Sequence, residues 1–187
     1  MLSPVIETTR LRLRPFTPGD LDDLHRLWVD PAVRKYLWDD EVITREQAAS
    51  VIDESCSLFD ADGFGLWGVF PREDETLIGF CGYWSFHDPP QLQLLYGIAP
   101  AHWGSGLATE AARAVIKYGF QELLFDRIIA SADAPNQASF RVMEKAGMAF
   151  DKRLLINGLD TIYYAISREE FQPGNSSSKA PVPRTKV

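Results

Sequence analysis

The sequence predicts an α+β domain: a mixed, mostly antiparallel central sheet of about seven strands with helices on both faces. Three observations predict it. An apolar period of two marks strands, first where Leu11 and Leu13 alternate with Arg10, Arg12 and Arg14. Stretches of helical spacing, such as Leu21, Leu24, Leu27 and Trp28, interrupt the strands. The resulting order, β-α-α-β-β-β-α-β-α-β-β, is neither all-strand nor a strict βαβ repeat.

Each element has a local reason. Pro15 closes the first strand, because it cannot donate to a ladder. A helix starts near Pro18-Gly19-Asp20 and stops at Asp30-Pro31. A second starts at Thr44, where Thr44 and Gln47 have capping-box spacing and Ala48, Val51, Ile52, Ser55 and Phe59 share one face. From residue 64 the period changes. The Gly- and aromatic-rich runs 64–70 and 77–86 flank Pro71-Arg72-Glu73-Asp74-Glu75 as a hairpin, and 92–98 is a third strand. Over 107–124, Glu110, Arg113, Lys117 and Gln121 form one wet stripe on an otherwise apolar helix. A strand at 127–132, a helix at 137–145 ended by Ala146-Gly147, and an antiparallel pair, 148–156 and 161–166, around Asn157-Gly158 complete the order.

A single domain is expected over residues 5–171. The remainder, 172–187, begins Gln172-Pro173-Gly174-Asn175 and runs through three serines to Pro181 and Pro183, a composition expected to form a disordered tail. The 187 residues carry 19 Lys and Arg against 26 Asp and Glu, a net charge of −7. That balance argues against nucleic-acid binding and favours cationic partners such as amines. No apolar run approaches the roughly 20 residues of a membrane span, so no membrane association is expected. Residues 1–7 show no basic flank, apolar stretch or small-residue cleavage site, so a cytoplasmic location is expected. Cys56 and Cys81 lack metal-ligand spacing and are expected in the core, with no metal bound.

The most informative stretch runs from Leu94-Leu95-Tyr96-Gly97-Ile98-Ala99 through Pro100, Ala101 and His102 into Trp103-Gly104-Ser105-Gly106-Leu107-Ala108-Thr109-Glu110. A strand enters a glycine loop and then a helix. Gly104 and Gly106 permit positive φ, so that successive backbone N–H groups from Trp103 to Thr109 converge on one anion at a helix N-terminus. A P-loop is excluded, because no Gly-x-x-x-x-Gly-Lys-Ser/Thr occurs. A dinucleotide fingerprint requires a third glycine where Thr109 stands and an acidic residue about 20 further on, a place Asp126 fills. This loop, however, follows a strand meander. A coenzyme A pyrophosphate is the third reading.

The segment 102–111 resembles the acyl-CoA loop of the GNAT superfamily of N-acetyltransferases, in its RimJ/RimL-type, ribosomal-protein-alanine N-acetyltransferase-like branch. Three other segments agree in order. Glu7-Thr8-Thr9-Arg10-Leu11-Arg12-Leu13-Arg14-Pro15 resembles the first strand of that branch, Ile78-Gly79-Phe80-Cys81-Gly82 its third, and Asn136-Gln137-Ala138-Ser139 with the residues to Met148 its distal helix. The resemblance spans about residues 5–168. It implies the GNAT fold, with a bulged strand before the loop, here 92–98, splayed from its neighbour to admit the acyl-pantetheine arm of acetyl-CoA.

The resemblance implies roles for single residues. Gly97, Ile98 and Ala99 offer backbone groups to pantetheine, and the Ile98 N–H polarises the thioester carbonyl. His102, Trp103, Gly104, Ser105, Gly106, Leu107, Ala108 and Thr109 surround the pyrophosphate. Asn136 and Ser139 match the family's Asn-x-x-Ser, with Asn136 near pantetheine and the Ser139 hydroxyl donating to the thiolate. Asn136 is equally a helix cap, and Ser139 equally an exposed hydroxyl. Many relatives carry a Glu as base where Gln93 stands, and a neutral amide cannot serve. His87 and Asp88 are possible replacements or simply a surface turn. Tyr36 and Trp38, beside Asp39, Asp40 and Glu41, and Trp84 complete the substrate-side candidates. Glu54 and Glu110 are expected to be solvated.

The implied activity is transfer of an acetyl group from acetyl-CoA to a primary amine, a protein N-terminus or a small molecule, by direct attack in a ternary complex. The alternative is a catalytically weak acyl-CoA sensor on the same fold. Monomer and homodimer are both compatible with the sequence.

Overall fold

The charge-alternating N-terminal segment folds back on itself as β1 (Ile6–Glu7) and β2 (Leu11–Pro15), paired antiparallel with Ile6 opposite Leu13. The structure, a computed structural model, describes residues 4–87, 89–156 and 158–171, so the expected tail at 172–187 lies outside the described residues. A two-residue strand has no readable period, which is why β1 is absent from the sequence-based order.

Three helices follow. α1 (Leu21–Val29) is preceded by a 3-10 turn at Pro18–Asp20, and α2 (Pro31–Arg34) is a single turn after the proline stop. Asp20, 8% exposed, accepts from both Arg14 Nη atoms at 2.8 Å and from the Thr17 N–H at 2.7 Å, which locks the end of β2 to the start of α1. α3 (Arg45–Asp62) begins with the expected box: Thr44 Oγ1 accepts from the Gln47 N–H at 3.1 Å, and Gln47 Oε1 from the Thr44 N–H at 2.7 Å. It ends at Gly63, in the left-handed region at φ 76°.

The sheet continues with β3 (Leu66–Pro71), β4 (Gly79–Phe86) and β5 (Gln91–Ile98), giving a five-stranded antiparallel sheet in the order β1-β2-β3-β4-β5. After α4 (Leu107–Gln121) come β6 (Arg127–Asp133), α5 (Gln137–Lys145), β7 (Ala149–Ile156) and β8 (Leu159–Ser167). The last three strands form a separate antiparallel sheet in the order β6-β8-β7. Among the described residues, then, eight strands form two sheets, against the single sheet of about seven that the sequence predicts. β5 and β6 lie side by side without a ladder, and this is the splayed pair.

The expected bulge is corrected. The β4–β5 register is unbroken from Gly79 opposite Ile98 to Phe86 opposite Gln91, and a register shift among the described residues lies instead in β7, between Phe150 and Lys152. The opening therefore comes from the missing β5–β6 ladder.

Two apolar clusters cover the faces. Leu13, Val69, Tyr83, Leu94 and Ile98 pack under Ala111, Val115 and Ile116 of α4, while Leu66 and Phe80 pack against Trp28, Leu24 and Ile52 of α1 and α3. Cys81 is buried, which pushes its thiol well up, and Cys56 is only half-buried beside the second cluster. On α4, Arg113, Lys117 and Gln121 are exposed as expected. Glu110 is not solvated but paired, a correction taken up below. Among the described residues no helix is long and apolar enough to cross a membrane, and no cluster of three or more metal-ligating side chains occurs.

Candidate active site

A cleft of about 530 Å³ follows the gap between β5 and β6. Its walls include Leu94 to Ile98, Ser131 and Ala132. One end opens on His102, Trp103, Gly104 and the first turn of α4, and the other on Tyr36 and Leu37.

The glycine-loop end is made of backbone. Pro100–His102 forms a 3-10 turn, Gly104 stands at φ 75°, and Gly106 at φ 81° is the N-cap of α4. A Cβ on Gly104 would meet nothing within 4 Å, so φ alone requires that glycine. The first-turn N–H groups of α4 have no intrahelical acceptor and carry the positive end of the helix dipole, which suits a pyrophosphate. Arg10 and Glu110 hold the loop from behind. Glu110 Oε1 accepts from Thr8 Oγ1 at 2.7 Å and from the Arg10 N–H at 2.9 Å, and Oε2 accepts from Arg10 Nε at 2.7 Å. Arg10 Nη1 donates to the Ser105 carbonyl at 2.9 Å. Burial works to raise the Glu110 carboxyl, but the bonds from Thr8 and Arg10 outweigh it and hold it below its ordinary value. The Ser105 hydroxyl donates to the His102 carbonyl and so braces the loop from within.

The middle of the cleft is an exposed strand edge. The Ala99 N–H donates to the Ile78 carbonyl at 2.8 Å. Backbone groups alternate in direction along a strand, so those of Ile98 and Tyr96 point away from β4 and into the gap. The Ile98 carbonyl accepts from Trp103 Nε1 at 2.6 Å, and the Ile98 N–H is left facing the cleft. Of the three backbone candidates, Ile98 is the one so directed, whereas the N–H of Ala99 is taken by the ladder. Gly97 lines the cleft, and a Cβ there would stand 2.6 Å from the Phe80 ring. Across the gap, Asn136 caps α5, its Oδ1 accepting from the Ser139 N–H at 3.2 Å, while both Asn136 and Ser139 line the cleft. The cap and the wall are thus the same side chain. The Tyr96 hydroxyl donates to the Ser139 carbonyl at 3.0 Å and ties β5 to α5. Burial pushes the Tyr96 phenol strongly up, so it remains a donor.

The substrate-side candidates divide. Tyr36, 37% exposed, lines the cleft. Trp38 and Trp84 do not; both pack against the cluster under α1 and α3, Trp38 edge-on to Trp28 at 5.4 Å. Gln93 is 2% exposed, and its Oε1 accepts from Ser131 Oγ at 2.7 Å. His87 is exposed, at φ 70°, with Nε2 3.2 Å from the Tyr163 hydroxyl. Asp88 lies outside the described residues. Asp133, at the end of β6 next to the cleft residue Ala132, has no signature in the sequence. Burial raises its carboxyl above the ordinary value, and the nearby Asp39 adds to the rise. The contacts of Tyr96, Ser131, Tyr163 and Arg10 are likewise not legible in the sequence. No local signal marks these residues, because each acquires its partner from a different element.

The comparisons with known proteins agree with this geometry. An acetyltransferase (GNAT) domain model matches residues 10–149. The uncharacterised N-acetyltransferase YnaD of Bacillus subtilis (strain 168) is 31% identical over 172 residues, which cover 89% of this chain and 98% of YnaD. A GNAT-family acetyltransferase crystal structure from Bacillus anthracis superposes with a TM-score of 0.75 at 28% identity, over 89% of this chain and 99% of that one. RimL, the ribosomal L7/L12 alpha-N-protein acetyltransferase solved with coenzyme A, shares the fold with a TM-score of 0.74 at 18% identity, over 88% and 98% of the two chains. The chain belongs to the GNAT family of acetyltransferases. It is an N-acetyltransferase that uses acetyl-CoA as cosubstrate, with RimL among its structural neighbours.

Proposed function

We propose that the protein, acting in the cytoplasm, transfers the acetyl group of acetyl-CoA to a primary amine, a protein N-terminus or a small-molecule amine, by direct attack in a ternary complex. The observation that carries this reading is the continuity of one cleft. It joins a backbone anion site at Gly104, Gly106 and α4 to an open end at Tyr36. The two substrates then meet midway, at Ile98 and Ser139.

When acetyl-CoA is bound it supplies the activated thioester, and the chain supplies placement and charge stabilisation. The first turn of α4 and the glycine loop hold the pyrophosphate. The cleft-facing Ile98 N–H donates to the thioester oxygen as charge develops there, and Ser139 gives its proton to the departing sulfur. The acceptor enters past Tyr36. Asp39 and Asp133 stand near that end, an electrostatic setting that favours a cationic amine over an anion. Gln93 is a buried neutral amide and takes no proton from the amine.

The test is CoA release from acetyl-CoA with a panel of polyamines, aminoglycosides, simple amines and peptides with free N-termini. Amine-dependent release is expected for one class. Acetyl-CoA binding by calorimetry without release across the panel would shift the reading to an acyl-CoA sensor.

A further inference from the structure

The acceptor end of the cleft has an apolar wall that the chemistry above does not use. Val33 of α2 and Leu37 just after it share that wall with Leu95 of β5 and Phe80 of β4, and the Tyr36 phenol stands beside them. Phe80 is a fixed floor: it is 1% exposed, takes Trp28 edge-on at 5.6 Å, and lies opposite Gly97, where a Cβ would come within 2.6 Å of its ring. Val33, Leu37 and Leu95 are only half-buried and keep apolar surface open to the cleft. Among the described residues no Asp or Glu lines the cleft, and Asp39 and Asp133 are not part of its wall. The imidazole of His102 stands at the glycine-loop end, and Gln93 is neutral, 2% exposed and bonded to the Ser131 hydroxyl. Such a wall gains free energy by covering an apolar body and penalises an ammonium, because nothing on it replaces the water that the charge gives up.

We propose that the acceptor is a weakly basic primary amine on an apolar body, of the kind found in the amide of a hydrophobic α-amino acid, bound as the neutral amine with its body against Val33, Leu37, Leu95 and Phe80. The proposal rests on the transferase reading above and narrows its acceptor. The neutral nucleophile comes from the substrate's own ionisation, so the position of Gln93 needs no base. At pH 7 about one in ten α-amines is already neutral, with a pKa of about 8, against about one in 2,500 lysine-type amines, with a pKa of about 10.4. Asp39 and Asp133 draw the ammonium form toward the mouth, and water takes its proton before the amine reaches the wall. The nitrogen lone pair then attacks the thioester carbonyl carbon, the C–N bond forms and the C–S bond breaks. Ser139 gives its proton to sulfur and regains one from the acylated nitrogen, so amine and thioester become amide and thiol with no proton left over. Two sources share this chemistry: a free small amine, and the end of a polypeptide that begins with a hydrophobic residue.

The test measures kcat/KM for CoA release as a function of pH with phenylalanine amide, glycine amide, phenethylamine and spermidine. Phenylalanine amide should be the best acceptor at pH 7. Glycine amide, a comparably weak base without the body, should lose about ten-fold or more through KM. Phenethylamine, with the same ring and greater basicity, should also lose about ten-fold or more at pH 7 and recover as pH rises, its ascending limb displaced toward its own pKa. One limb shared by both aromatic amines would assign the proton to a group on the protein and overturn the proposal, as would glycine amide or spermidine matching phenylalanine amide at pH 7; the transferase would stand in each case. Leu37→Ala, with acetyl-CoA affinity by calorimetry unchanged, should narrow the ratio between the two amides by about three-fold or more, and an unchanged ratio would overturn the apolar subsite. Should Leu37→Ala lose that binding, Val33→Ala carries the same expectation. A peptide beginning with phenylalanine that outruns the amide supports a polypeptide as the source, and an amide that outruns the peptide supports a free amine. A wild-type protein that binds acetyl-CoA and acetylates no amine would overturn the transferase reading and this acceptor with it.

Discussion

The two ends of the cleft are built from different materials. At the glycine-loop end the site we propose for the pyrophosphate is backbone: two residues at positive φ, a helix start and a strand edge, all within residues 96–110. At the other end Tyr36 and Leu37, from the segment after α2, meet Ser131 of β6, with Asp133 two residues further along the same strand. A backbone site tolerates side-chain variation but not a change of φ. The side-chain site tolerates local backbone change but depends on where every element sits. One framework can therefore hold a constant cosubstrate while its other end is altered toward a different amine.

The largest effect expected from this contrast is at Gly106. Valine at φ 81° places a β-branched residue in the left-handed region, a cost of about 2 kcal/mol. Acetyl-CoA affinity measured by calorimetry should fall by more than ten-fold, while Gly104→Ala, with open space around its Cβ, should lose less. Equal, wild-type affinity in both would show that the site is not made of backbone. Next comes Ser139→Ala at the meeting point of the two ends. It should lower kcat about ten-fold with little change in the KM for acetyl-CoA, because the role assigned to it is in proton transfer. An unchanged rate at every pH tested would remove Ser139 from that role.

Smaller effects concern the supports. The Glu110 carboxylate is held below its ordinary value in the folded protein, so its stabilising contribution is full above the unfolded pKa of about 4.5. That contribution is lost as pH falls through the lower folded value. Glu110→Gln should cost about 1 kcal/mol at pH 7 and progressively less below pH 4.5, read from urea unfolding at several pH values. A pH-independent difference would deny the ion pair its part. Asp133 has the opposite sign: its folded pKa is raised, so ionisation costs stability above that value and costs none below the unfolded one. Asp133→Asn should therefore raise stability at pH 7 by a few tenths of a kcal/mol, up to about 1. If Asp133 helps to attract a cationic acceptor, the same substitution should raise the acceptor KM and leave the acetyl-CoA KM alone.

The elements that were legible in the sequence have local causes. The Thr44–Gln47 box, the wet stripe on α4 and the Ala146-Gly147 stop are each written within a few residues, and α5 falls on residues 137–145 as expected. The glycine loop is legible for the same reason. The expected β5 bulge was not, because strand pairing belongs to two segments at once and the unbroken ladder to β4 is visible only when both are placed. Glu110 shows the limit most clearly. Helical spacing put it on the wet stripe, but its partners Thr8 and Arg10 lie about a hundred residues away.

The sequence by itself determined the α+β class, most helix boundaries, the glycine loop with its positive-φ residues and, through four ordered motifs, the acetyltransferase family. These rest on periodicity, capping and φ preference, which act between neighbours in the chain. Only the tertiary structure decided that the strands form two sheets, that Trp38 and Trp84 pack half-buried against the cluster under α1 and α3, and that Glu110 pairs with Thr8 and Arg10. Those outcomes depend on burial and on contacts between distant segments, whose free energy exists only once the chain has closed on itself.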